Sequence, residues 1–380
     1  MAAVTSAAQR LSRSLCSWEC GRSPEGLNSP WRARSLPAVL TSPRTASGVR
    51  IGCCDMPYLI HSGKQALRSI WKKTSRKGLR LLMVFYPEER KLAAERWLRG
   101  REQCHKLGLA DIVIVSFGKS GRTWLRVMLS RAYQQMYGLP ARALIGFDNF
   151  HSMNRAIPKI FFTHDNYIKD YTGHADSKVD FYGKKVVLLA RDPRDVAVSQ
   201  FFQWKYRMKP NKKVLNQYPE EGKEVPIFDF VMDPDAGLPK VIGFMNLWAS
   251  EVDRLRSFFL LRYEDLRAQP EDTLRKLLAF MGTPATDAVV GDALAFSSYE
   301  NMKRMEQKKT FWLSGGRMVP KDRNDPNTYK VRRAKVGGYK DYFDDQQVEA
   351  IDELVNATLS PLFGYARTER VTVNVSGAVG

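Results

Sequence analysis

The sequence predicts an α/β fold: a single domain over about residues 107–366, with a mostly parallel central sheet flanked by helices. Three observations predict it. From Asp111 onward, short β-rich apolar runs alternate with amphipathic helical segments. The helical segments carry start and stop signals, such as Pro270 and Gly282 around residues 270–281. The 380 residues are 44% apolar with eight Trp and nineteen Phe, which suits a large core and not a solvated polymer.

The elements follow in order. Residues 1–55 hold seven Arg, no Lys and two acids before Asp55, with no apolar periodicity over 1–50. They read as a disordered segment, either a transit-like peptide or an untranslated extension if translation begins at Met56; either reading leaves them without chemistry of their own. Residues 56–106 read as a basic helical segment, with Lys72, Lys73, Arg76 and Lys77 around Leu67, Ile70 and Trp71 in 64–83. This stretch either lies on an anionic membrane surface or packs on the domain through Trp71, the second being favoured. Residues 111–117 form the first strand and 123–137 its helix, with apolar residues at helical spacing. Further strands fall at 159–163, 185–190 and 257–261, with helices at 192–207, about 240–256 and 270–281. Residues 367–380 are a tail.

Composition excludes several function classes. The net charge of +20 looks like a nucleic-acid signature, yet residues 1–110 hold 20 Lys and Arg against 7 acids. Most of the excess belongs to the N-terminal extension, so no nucleic-acid partner is expected for the folded core. No run approaches the ~18 apolar residues of a membrane span. Of five Cys, four precede residue 60, so a disulfide framework is not expected and a reducing, cytoplasmic setting is.

Two loops carry the chemistry. Gly118-Lys119-Ser120-Gly121-Arg122-Thr123 joins the first strand to its helix. Two glycines let several N–H groups converge on one anion, and Lys119, Ser120, Thr123 and the helix N-terminus add charge and donors. A Walker A loop needs a glycine five positions before Gly118, where Val113 stands inside the strand. The strand ending at Ala190 is followed by Arg191, not by a Mg²⁺-holding Asp, so the pocket calls for an anion and no metal. In the second loop Asp192 is placed as N-cap, Pro193 at the first helical position and Asp195 as a capping-box partner. Arg191 then sits at a strand's carboxyl end and Ser199 two turns down the helix, where they can hold a second phosphate.

VSFGKSGRTWL, residues 115–125, resembles the 5′-phosphosulfate loop (YPKSGTTWL) of the sulfotransferases that use 3′-phosphoadenosine 5′-phosphosulfate (PAPS). ARDPRDVAVSQFF, residues 190–202, resembles their 3′-phosphate motif (RNPKDVAVSYYHF), and RRAKVGGYKDYF, residues 332–343, their closing loop (RKGxxGDWKxxF). Residues 262–266 and 297–302 are similar to two shorter signatures. The resemblance implies a P-loop-like sulfotransferase fold and PAPS as co-substrate, without metal. It implies that Lys119, Ser120, Gly121, Arg122 and Thr123 cradle the 5′-phosphosulfate, Lys119 neutralising the leaving oxygen. Trp124 and Tyr299 sandwich the adenine, Tyr263 and Ser297 line its edge, and Arg191, Ser199, Arg332 and Arg333 bind the 3′-phosphate.

Three departures from the pattern stand out. Arg122 replaces a Thr, Ala334 replaces the closing-loop Gly that contributes a backbone contact, and Asp344-Asp345 replace the TV of the dimer motif KxxxTVxxxE. Dimerisation by that route is left open.

Sulfuryl transfer also needs a base for the acceptor's proton. Of five His, His164 follows directly on the strand at 159–163 and aligns with the His of the family's KTH motif, with Phe162 in place of the Lys. His164, Lys119 and Ser199 are thus the expected catalytic residues. The resemblance implies a phenol, alcohol, amine or sugar as acceptor; Trp204, Lys205, Tyr206 and Arg207 would suit a ring with a negative group, or merely stabilise a loop. The competing readings are a metal-dependent P-loop kinase or NTPase, opposed by the loop spacing, and a non-catalytic basic adaptor binding membrane or polyanion through 64–83.

Overall fold

The computed structural model describes residues 78, 83–311, 318–322 and 324–366. The expectations for 1–55, for nearly all of 64–83 and for 367–380 lie outside the described residues.

Strands β1 (Ile112–Ser116), β2 (Ile160–Thr163), β3 (Lys185–Ala190) and β4 (Ser257–Arg262) form one sheet in the order β2-β1-β3-β4, every neighbouring pair parallel. β1 is buried along its whole length, as a strand covered on both faces must be. Its side chains alternate between two cores. Val113 and Val115 join Val186, Leu188, Val196, Trp248 and Ile351 on one face. Ile112 and Ile114 join Val187, Leu189, Leu125, Leu129 and Leu277 on the other. The connection after β1 runs to β2 on one side and the connection after β3 to β4 on the other, which opens a crevice at the carboxyl ends of β1 and β3.

All four strands fall where the apolar runs placed them. Two helices end early. The segment expected at 192–207 is α-helical over Pro193–Phe202 and then widens into a π turn, Gln203–Arg207, which carries Trp204 into the core. The segment expected at about 240–256 is the helix Leu238–Ala249 followed by a 3₁₀ turn, Val252–Arg254. A 22-residue helix, Glu88–Leu109, precedes β1 and straddles residue 107. Its Gly100 lies so close to the Tyr167 carbonyl and Tyr171 that a Cβ could not be accommodated. Arg96, on the same helix, pairs with Asp170 at 3.0 Å and donates to the Leu215 carbonyl at 2.7 Å. This helix thereby helps to wall the crevice.

Candidate active site

The phosphate loop leaves β1 at Phe117 and enters the helix Arg122–Tyr137 through Gly121, whose φ is +95°. No side chain caps this helix, so its first N–H groups remain available to an anion. Gly121 is required twice over: its φ is left-handed, and a Cβ there would meet the Tyr263 ring at 2.7 Å. Lys119 also has a positive φ, +75°, a costly conformation for a side-chain-bearing residue and one typical of functional loops. Ser120 is buried beneath the loop.

Around Lys119 stand Arg207, Lys330, Arg191 and Arg332, all lining one cavity of about 940 Å³. Withdrawal from water, and then these four cations, push the Lys119 ammonium down to about 7. Two acids answer part of this charge. Asp195 pairs with Arg191 at 3.1 Å, and the fully buried Glu306 faces Arg207 at 3.5 Å while accepting the Lys330 and Val331 N–H groups. The Arg191 Nε remains buried without a hydrogen bond among the described residues. A buried donor without an acceptor is costly, and a bound phosphate oxygen would satisfy it.

Asp192 caps its helix through the Arg194 N–H, with Pro193 at the first position, as the sequence reading expects. Asp195 does not complete a capping box. Its carboxylate instead accepts the Gly337 and Tyr339 N–H groups, both at 3.0 Å, and so fastens the closing loop to Arg191. Arg191 also lies 4.6 Å from the Tyr263 ring centroid. Ser199 lines the cavity below it.

The aromatic residues converge as well. Trp124 and Tyr263 meet edge to face at 5.5 Å, and the Trp124 indole N–H donates to the Ser297 carbonyl at 2.9 Å. Tyr299 donates its hydroxyl proton to the Arg332 carbonyl at 2.9 Å, so the closing loop is tied to this slot too. Arg332 stacks 3.6 Å over the Phe202 ring. Arg333 is exposed and paired with Asp341 at 2.9 Å. Ala334 holds a φ of +53°, which explains the family's Gly at this place: Ala takes it at a steric cost of about 1 kcal/mol.

His164 stands across from the phosphate loop. Its Nδ1 lies 2.6 Å from the Ser116 carbonyl, which can only accept, so Nδ1 carries the proton. The Nε2 lone pair then accepts from Arg122 Nη2 at 2.5 Å. Withdrawal from water, then the Arg122 charge, push the imidazole down to about 3, against the weaker upward pull of Ser116. Phe162, in place of the expected Lys, offers its face to the buried Arg126 at 3.6 Å. His151 bonds the Ile157 carbonyl and does not line the cavity.

The proposed acceptor residues fare differently. Trp204 is buried, its N–H donating to the Pro219 carbonyl; Lys205 pairs with Glu224; Arg207 belongs to the cation cluster. The cavity beyond His164 is lined instead by Phe117, Tyr167, Lys212, Tyr218, Lys240 and Phe244. Sequence reasoning missed Lys330, Lys212 and Lys240, which stand in no motif and converge only through the fold.

A crevice of this design, with a short Gly-Lys-Ser-Gly loop, a second cationic loop and a neutral His, defines a nucleotide-dependent transferase. The sulfotransferase domain family matches residues 109–363, and the chain belongs to this PAPS-dependent family of enzymes. Flavonol 3-sulfotransferase of Flaveria bidentis is 23% identical over 288 residues, 70% of this chain and 88% of its own. Cytosolic sulfotransferase 14 of Arabidopsis thaliana is 25% identical, over 66% of this chain and 75% of its own. Among solved structures, a mouse sulfotransferase complexed with PAP shares 20% identity, covers 68% of this chain and 89% of that chain, and superposes with a TM-score of 0.44.

Proposed function

We propose that the chain transfers the sulfuryl group of PAPS to a hydroxyl or amine of a small-molecule acceptor, with His164 as general base, in the cytoplasm. The observation that carries this reading is one cavity in which the cation cluster around Lys119, with the Arg191 Nε lacking a hydrogen bond among the described residues, shares its lining with a neutral imidazole. Relatives named for flavonols support a small hydroxylated acceptor, and relatives named cytosolic support the compartment. Among the described residues no helix is long and apolar enough to cross a membrane.

The residues divide the work. The phosphate loop, Arg191, Ser199, Arg332 and Arg333 hold the nucleotide, Trp124 and Tyr299 take the adenine faces, and Tyr263 and Ser297 line its edge. Ala334 contributes its backbone. Lys119 neutralises the phosphate oxygen as the S–O bond breaks. His164 takes the acceptor proton at Nε2, and its Nδ1–H bond to Ser116 fixes the tautomer that makes this possible. Arg122 covers that lone pair, so the base is exposed only when the guanidinium swings onto the phosphosulfate. Transfer of label from ³⁵S-PAPS to a phenol panel tests the reading. PAP binding with no transfer to any hydroxyl or amine would refute it.

A further inference from the structure

The cavity extends past His164 into a half that the nucleotide residues do not occupy, and its charge is lopsided. Six Lys and Arg side chains line this half against two acids, Asp165 and Asp176. Two of the cations are satisfied within the fold: Lys178 pairs with Asp165 at 2.8 Å, and Arg96 with Asp170 at 3.0 Å. Lys240 is different. It is half-buried, its Nζ donates to the Asn216 and Asp235 carbonyls at 2.8 and 2.5 Å, and among the described residues it has no ion pair. It lies 4.7 Å over the Tyr218 ring. Lys212 lies 5.6 Å over the Tyr167 ring, whose hydroxyl is fixed on Asn216 at 2.8 Å. Asn216 thus holds both ends of a basic wall. Apolar residues continue the lining: Phe244 and Leu247 follow Lys240 on the helix Leu238–Ala249, and Phe117 packs edge to face on Phe244 at 5.4 Å.

We propose that the acceptor is a hydroxylated ring carrying an anionic group, a carboxylate or a sulfate or phosphate ester, which seats against Lys240 and Lys212 while the ring lies along Phe117 and Phe244. The proposal rests on the sulfotransferase reading above. It assigns to this wall a role separate from nucleotide binding. The cations around Lys119 are Arg207, Lys330, Arg191 and Arg332, whereas Lys212 stands over Tyr167 of the loop that carries His164 and Lys240 over Tyr218. An ammonium partly withdrawn from water attracts a charged partner far more strongly than one in bulk water does. Lys240 is pushed down to about 8 by withdrawal from water and by Arg96 and Lys169, against the upward pull of Asp235 and Asp233. An anion beside it would favour its charged form. Anionic-acceptor affinity should therefore hold below pH about 8 and fall above it, while a neutral acceptor's does not.

The test is calorimetry on the full chain. The enzyme is first saturated with PAP, then titrated with 3-(4-hydroxyphenyl)propionate and, separately, with its methyl ester. The acid should bind roughly tenfold or more tightly than the ester, as one charge-assisted contact supplies. The Lys240→Met, Lys212→Met double variant should erase that preference and keep wild-type affinity for PAP. Equal affinities for acid and ester, binding of neither, or a preference that survives the double substitution would overturn the proposal. Failure of PAP to bind would overturn the sulfotransferase reading instead, and acid against ester on the nucleotide-free enzyme would still decide the anionic wall.

Discussion

The two halves of the cavity are built by opposite strategies. The nucleotide half hangs on the ends of β1 and β3 and on one helix N-terminus, so most of its residues come in contiguous runs, 118–124, 191–199 and 332–334, with Arg207 and Lys330 added by the fold. The acceptor half is assembled from single residues of the helix Glu88–Leu109, the loop after β2, the segment 207–218 and the helix Leu238–Ala249. A phosphate is bound by backbone N–H groups and charges at fixed spacing, and that requirement leaves a pattern in the chain. An acceptor is bound by whichever side chains tertiary packing brings to one wall, and that leaves none.

The sharpest way to break this division is at His164. His164→Ala should lower turnover by ~10²–10⁴, the contribution of a general base, and leave PAP affinity nearly unchanged. The loss should be smaller for an acidic phenol, which arrives already ionised, than for an alcohol. More than about a third of wild-type turnover on an alcohol would remove His164 from the mechanism.

Arg191 should show the mirror image. Its Nε awaits an acceptor, so Arg191→Ala should weaken PAP binding by the ~1.5–3 kcal/mol of a charge-assisted bond. Adenosine 5′-phosphosulfate, which lacks the 3′-phosphate, should be nearly indifferent. Arg333→Ala should cost less, because Arg333 must first leave Asp341. Equal losses for both nucleotides would mean that Arg191 serves the fold or the other phosphate.

How much was legible follows the same line. The four strands and the phosphate loop could be read because buried parallel strands are short continuous apolar runs and a Gly-rich turn after one is distinctive. The role of Asp195 was misread: local spacing suggested a capping box, and the closing loop 142 residues away took its carboxylate. Trp204 to Arg207 read as a cluster suited to an acceptor ring, or as loop stabilisers, because the π turn that buries Trp204 has no sequence signature. The Arg122–His164 contact could not be read at all, since it joins two loops through a rotamer.

That contact yields a smaller effect. Arg122→Thr removes a positive neighbour and a donor from Nε2, so the imidazole should titrate higher, though burial keeps it below its ordinary ~6.5. The base must be neutral to act. The acid limb of the kcat/KM profile should therefore move to higher pH in the variant; an unmoved or lowered limb would deny the coupling. The smallest effect is at Ala334, whose φ of +53° suits Gly. Ala334→Gly should stabilise the fold against urea by under about 1 kcal/mol, since relief of steric cost is partly offset by unfolded-state entropy. Destabilisation would show that the loop does not hold this conformation in solution.

The central claim is that the Lys119 cluster is an anion site built for this nucleotide, and one titration tests it most directly. PAP is titrated into the enzyme at pH 8 with EDTA, in two buffers of different ionisation enthalpy. With Lys119 held at about 7 by withdrawal from water and by its cationic neighbours, it is mostly neutral at that pH. A bound phosphate raises it, so PAP should bind without metal and take up as much as about one proton. Proton release, or binding only when Mg²⁺ is supplied, would contradict the account.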